Sequence, residues 1–81
     1  MACIEARLPD LGLSGRLVRA TVWLASPGNF VERGEPLVEV TAGGVVVDIP
    51  APASGVLTER LVAIDEQIGC GAPLATIDPE G

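Results

Sequence analysis

The sequence predicts an all-β fold built from two copies of one small β-unit, and three observations carry that prediction. Ten glycines and seven prolines are spread along 81 residues rather than clustered. Such spacing punctuates short strands and argues against long helices. Apolar and polar residues alternate in short runs, as in Val38-Glu39-Val40-Thr41, the period of a half-buried strand. A block also recurs in strict register. Val31-x-x-Gly34-x-Pro36-Leu37 returns as Ile68-x-x-Gly71-x-Pro73-Leu74, always 37 positions later (31 to 68, 34 to 71, 36 to 73, 37 to 74). Two looser matches accompany it: Leu8-Pro9 with Ile49-Pro50, and Ser14-Gly15 with Ser54-Gly55. Two such copies share a core across a pseudo-two-fold axis, because neither half buries its apolar face alone.

The predicted strands are Cys3–Leu8, Arg16–Leu24, Leu37–Thr41, Val45–Ile49, Gly55–Val62 and Leu74–Ile77. Short bridges near Phe30–Val31 and Gln67–Gly69 complete two facing sheets. The first two strands are separated by the glycine-bearing stretch DLGLSG, Asp10 to Gly15. Gly34 and Gly71 suit turns that need positive φ. Pro36 and Pro73 suit strand starts, where a missing N–H costs little, and Leu37 and Leu74 then enter the core. Val45, Val47 and Ile49 alternate with Val46 and Asp48. The longest stretch free of Gly and Pro, Val56 to Ile68, reads as a strand followed by a turn at Asp65-Glu66. The whole is one domain over residues 1–78, with 79–81 as a C-terminal tail.

Composition excludes several functions. The net charge is −6, and the aromatics are Trp23 and Phe30, so a basic groove with stacking aromatics for nucleic acid is not expected. Anionic membranes are disfavoured for the same reason. No run approaches the ~18 apolar residues of a membrane helix. The start MACIEARLPD carries Glu5 and Arg7 where a signal peptide would be apolar, so a cytoplasmic, soluble protein is expected. There is no histidine, tyrosine or lysine, and the cations are Arg7, Arg16, Arg19, Arg33 and Arg60. General-base chemistry by histidine and Schiff-base chemistry by lysine are therefore absent, and no enzyme is expected. Cys3 and Cys70 form no C-x-x-C pair and are poor zinc ligands without histidine, so no metal is expected. Both are expected as free, partly buried thiols in a reducing compartment, with a disulfide as the alternative. Trp23 is expected to pack in or against the core, with a partner anchor as the alternative. The dispersed carboxylates read as a solvated acidic face.

Four segments resemble the biotinyl/lipoyl domain family. WLASPGNFVERGEPLVEV (Trp23–Val40) is similar to that family's W-L-x-x-x-G-D-x-V-x-x-G-[DE]-x-L-x-E-[IV] segment. VDIPAPASGVL (Val47–Leu57) is similar to the segment after the attachment turn, LPDLG (Leu8–Gly12) to the first strand and loop, and VAIDEQIGCGAPLATI to the closing strand pair. Their order and spacing together carry the likeness. It implies a flattened barrel-sandwich hybrid of two quasi-symmetric four-stranded halves, of the acyltransferase type found in 2-oxo acid dehydrogenase systems. In that family a lysine at a β-turn tip carries lipoate or biotin through an amide. The arm moves acyl, aminomethyl or carboxyl groups between active sites.

Ungapped alignment from Leu37 to Pro50 sets Thr41-Ala42-Gly43-Gly44-Val45 on the family's E-T-D-K-A motif. Gly44 takes the lysine position and Gly43 the acidic one. Shifting the register restores nothing, because the sequence holds no lysine. Neither lipoate nor biotin is therefore expected. Gly-Gly does suit a two-residue type I′ hairpin turn, which needs positive φ twice. The resemblance further implies that Asp10, Leu11, Gly12, Leu13 and Ser14 form a surface loop beside the turn. With Ala42, Gly43 and Gly44 they make the candidate partner surface. The expected function is a non-catalytic interaction or scaffold module whose partners are components of a 2-oxo acid dehydrogenase-like complex. The alternative is a carrier whose group is attached at Cys70, at the N-terminus, or non-covalently.

Overall fold

The computed structural model describes residues 3–12 and 17–80. Eight strands form: β1 (Ile4–Arg7), β2 (Val18–Trp23), β3 (Phe30–Val31), β4 (Pro36–Ala42), β5 (Val45–Pro50), β6 (Gly55–Arg60), β7 (Gln67–Ile68) and β8 (Pro73–Asp78). No helix occurs among the described residues. Two four-stranded antiparallel sheets result, ordered β1-β8-β6-β3 and β5-β4-β2-β7. The all-β prediction holds, both short bridges included. Strand ends differ by one or two residues. β6 stops at Arg60, two residues early, and residues 63–66 turn back; the predicted start of β2 at Arg16 lies outside the described residues.

The pseudo-two-fold relation is visible bond by bond. The Gly28 N–H donates to the Leu57 carbonyl (2.8 Å), and the Asp65 N–H donates to the Ala20 carbonyl (2.7 Å). Donor and acceptor have exchanged halves, and both steps equal 37 (28 to 65, 20 to 57). The Ser26 N–H meets the Asn29 side-chain oxygen and the Ala63 N–H meets that of Glu66, again 37 apart. Each half thus ties its turn to the other half's long strand, and the halves interlock as predicted.

The looser match of Leu8-Pro9 with Ile49-Pro50 needs correction. Gly71 N–H donates to Leu8 O as Gly34 N–H donates to Ala51 O, so Leu8 corresponds to Ala51. Ile4 and Ile77 pair as Val47 and Val40 do, a step of 43 (4 to 47). The offset falls from 43 to 37 by Ala20, so the first half carries six extra residues between β1 and β2. A match by eye across that insertion slips by two residues. Ser14-Gly15 lies outside the described residues.

Both sheets turn alternate side chains inward. Leu37, Val38, Val40, Leu57, Leu74, Ala75 and Ile77 are fully buried, and among the described residues no polar or charged one is buried. Each large aliphatic chain so enclosed contributes ~1.5–3 kcal/mol. A β-bulge sits at matching places in β2 and β6. It lets the Thr21 hydroxyl reach the Glu39 carbonyl, and lets the Thr58 hydroxyl reach the Thr76 carbonyl, both at 3.1 Å.

Trp23 is half-buried against the core, and its Nε1–H donates to the Val62 carbonyl (3.1 Å). The expected packing against the core is thus observed. Cys3 and Cys70 are both free, as expected, but the expected partial burial needs correction, since both are exposed. Cys3 precedes β1 and Cys70 lies in the glycine-flanked turn beyond its other end. β1 separates them by roughly 16 Å at ~3.3 Å per residue, far beyond disulfide reach.

Candidate interaction site at the Gly-Gly hairpin

The β4–β5 hairpin builds the site. Val40 pairs with Val47, Thr41 with Val46, and Ala42 with Val45, leaving Gly43-Gly44 as the two-residue turn. Their φ values are +54° and +86°, the pair a type I′ turn requires. Ala42 is buried while Gly43 and Gly44 are exposed, so the turn presents backbone alone. A Cβ at Gly44 would meet nothing within 4 Å. Space for a side chain is therefore available, although the backbone there favours glycine.

At the start of β2, Val18 pairs with Ala42, which sets Leu17 beside the end of the hairpin. Asp10 and Gly12 are exposed, and the Asp10 carboxylate accepts the Gly12 N–H (2.9 Å). Leu11 is half-buried against the core. Leu13 and Ser14 lie outside the described residues. Of the described loop residues, Leu11 packs against the core, and the hydrogen bond between Gly12 and Asp10 closes the turn beside it.

The chemistry on offer is limited. Residues 42–45 carry no ionisable side chain. Among the described residues no group of three or more His, Cys, Asp or Glu could hold a metal ion. Cys70 stands in the turn after β7, exposed between Gly69 and Gly71. Sequence reasoning singled out the tip and missed its apolar surroundings. Leu17, Val45 and Val46 are 55%, 44% and 59% exposed. The unbroken run Val45-Val46-Val47 was the available signal, since strict alternation would make Val46 polar.

The family described as Biotin-requiring enzyme (Biotin_lipoyl) matches residues 4–77. The chain belongs to the biotinyl/lipoyl domain family. The two interlocked four-stranded sheets fit the barrel-sandwich fold expected for it. This biotinyl/lipoyl domain is 37% identical over 76 residues to the dihydrolipoyllysine-residue acetyltransferase component of the pyruvate dehydrogenase complex of Corynebacterium glutamicum, covering 94% of the chain and 11% of that protein. It is 42% identical over 73 residues to the component of the same description in Mycobacterium bovis, covering 90% of the chain and 13% of that protein. It is 36% identical over 73 residues to the dihydrolipoyllysine-residue succinyltransferase component of the 2-oxoglutarate dehydrogenase complex of Bacillus subtilis, covering 90% of the chain and 18% of that protein. The domain therefore spans less than a fifth of each of these relatives, and is a lipoyl-type domain of acyltransferase kind. Lipoate or biotin joined through an amide needs a side-chain amine, and the tip residues of this domain do not fit that requirement.

Proposed function

We propose that this lipoyl-type domain works without a covalent arm, as a non-catalytic docking or scaffold module of a 2-oxo acid dehydrogenase-like assembly in the cytoplasm. The observation that carries the reading is the Gly43-Gly44 turn, closed in type I′ form with no amine, where lysine stands in the family's motif. The relatives' names supply the type of assembly. Its components are the partners, and neither lipoate nor biotin is bound. The partner surface is the exposed backbone of Gly43 and Gly44, the adjoining Ala42, and the loop residues Asp10, Leu11, Gly12, Leu13 and Ser14. A bare glycine tip lets a partner approach the main chain closely, which a displayed lysine would prevent.

The reading is tested by capture. The full protein, immobilised, is exposed to purified components of a 2-oxo acid dehydrogenase complex. One component is retained stoichiometrically, and Gly44→Glu weakens retention. Failure to retain any component contradicts the reading.

A second reading has one observation in its favour. Cys70 is exposed on a glycine-flanked turn, so a carried group could be attached there. A thioester-labile or reducible added mass on Cys70 would support that reading over the first.

A further inference from the structure

The two halves share one backbone plan, so each serves as a control for the other. A residue needed only to hold the fold should be needed at both matching places. On the outer face of the sheet β5-β4-β2-β7 that expectation fails. Val22 pairs with Glu39, and Glu39 pairs with Asp48, in one row across three strands. Val46 lies two residues from Asp48 on the same face of β5. Val22 and Val46 are 43% and 59% exposed. The matching row in the other sheet is Glu59–Thr76–Glu5, and Cys3 matches Val46. Where one half has exposed valine, the other has glutamate and cysteine, so the fold does not require valine.

The charges differ in the same way. Glu5 faces a threonine and pairs with the Arg7 guanidinium. Asp48 faces another carboxylate, Glu39, across the strand, an arrangement that costs stability. Thr21 donates to the Glu39 carboxylate at 2.9 Å, but among the described residues no cation pairs with Glu39 or Asp48. Arg19 stands diagonally beyond Thr41 and makes no ion pair with either. Asp48 and Val46 are on an edge strand, open from the side.

We propose that the outer face of the hairpin sheet, around Glu39 and Asp48 with Val22 and Val46 flanking them, docks a basic and apolar segment of a protein partner. An arginine or lysine of the partner lies against the two carboxylates, and aliphatic side chains cover the valines. A second copy of this chain is a poor occupant. It would bring the same two carboxylates and a net charge of −6 to the contact. This inference goes beyond the hairpin-tip reading and stands or falls separately from it, since it uses a different face and no property of the turn.

The test uses an acetylated peptide of alternating leucine and arginine as probe, titrated into the full protein while backbone amide shifts are followed. The expected shifts cluster on β2, β4 and β5 around Val22, Glu39, Val46 and Asp48. The double variant Glu39→Gln/Asp48→Asn binds about tenfold more weakly, as loss of a charge-assisted contact should give. Glu5→Gln/Glu59→Gln, with the same change in net charge on the other sheet, binds as the parent does. Val22→Ser/Val46→Ser, which strips the apolar cover without changing the charge, also weakens binding. Equal weakening by both charge variants would reduce the effect to net charge and overturn the proposal. So would shifts spread over both sheets, no shift at millimolar peptide, or dimerisation of the free protein through this face.

Discussion

The Arg60 guanidinium lies over the Trp23 ring, 5.1 Å from its centre, and the two residues hold the same place in the two halves. Trp23 pairs with Val38 and Arg60 with Ala75, each 37 positions apart (23 to 60, 38 to 75). Their hydrogen bonds are exchanged too. Trp23 donates to the Val62 carbonyl, and Arg60 donates to the Ala25 carbonyl at 2.9 Å, with 25 and 62 again matched. The pseudo-axis is therefore crossed by an aromatic–cation pair in which each member fastens the other half's loop.

That pair should be measurably coupled. Trp23→Leu removes both the hydrogen bond and the aromatic face and should cost about 2 kcal/mol. Arg60→Ala, which removes the cation, should cost about 1–2 kcal/mol. The double variant should lose less than the sum by about 0.5–1 kcal/mol, the size of a partly exposed cation–π contact. Urea unfolding of the four proteins completes the cycle, and strict additivity would contradict the stacking.

Matching core residues should matter alike. Leu37 and Leu74 are both fully buried at matched positions. Each Leu→Ala change should cost ~2–5 kcal/mol, with similar values for the two. A near-zero loss at either would remove it from the shared core.

Two glycines should respond oppositely to a side chain. A Cβ at Gly55 would collide with the Asp78 backbone carbonyl, and backbone cannot swing aside. Gly55→Ala should therefore unfold the domain or lower its midpoint steeply. Gly44→Lys meets open space and carries only a positive-φ penalty of about 1 kcal/mol. It should keep a native spectrum, and incubation with a lipoate ligase and lipoate then shows whether the hairpin is still recognised as a substrate.

The facing carboxylates make a prediction about salt. Asp48→Asn should raise stability by on the order of 0.5 kcal/mol at low ionic strength, and the gain should shrink as added salt screens the pair. Denaturant midpoints at low and high salt measure both effects. A loss of stability at low salt would mean that Asp48 has a compensating contact.

Much of this was legible in the sequence because the decisive residues act locally. Gly43-Gly44 specifies its turn by backbone conformation alone, and Gly34-x-Pro36-Leu37 marks turn, strand start and core in four positions. The repeat exposed the two-fold plan. The extra residues between β1 and β2 hid its true register, so Leu8 was matched to the wrong partner. The pairing of Trp23 with Arg60 was not legible, since one is aromatic and the other charged, and only matched strands bring them together. The exposure of Cys3 was missed because free cysteine is usually buried. The opposition of Glu39 and Asp48 needed the strand register, which the hairpin supplies and composition does not.

A domain that works without an arm carries no covalent group. The intact mass of the protein purified from its native host tests this most directly. The expected mass is that of the unmodified chain after any N-terminal processing. A stoichiometric added mass would contradict it, and fragmentation would then locate the group on a residue other than lysine.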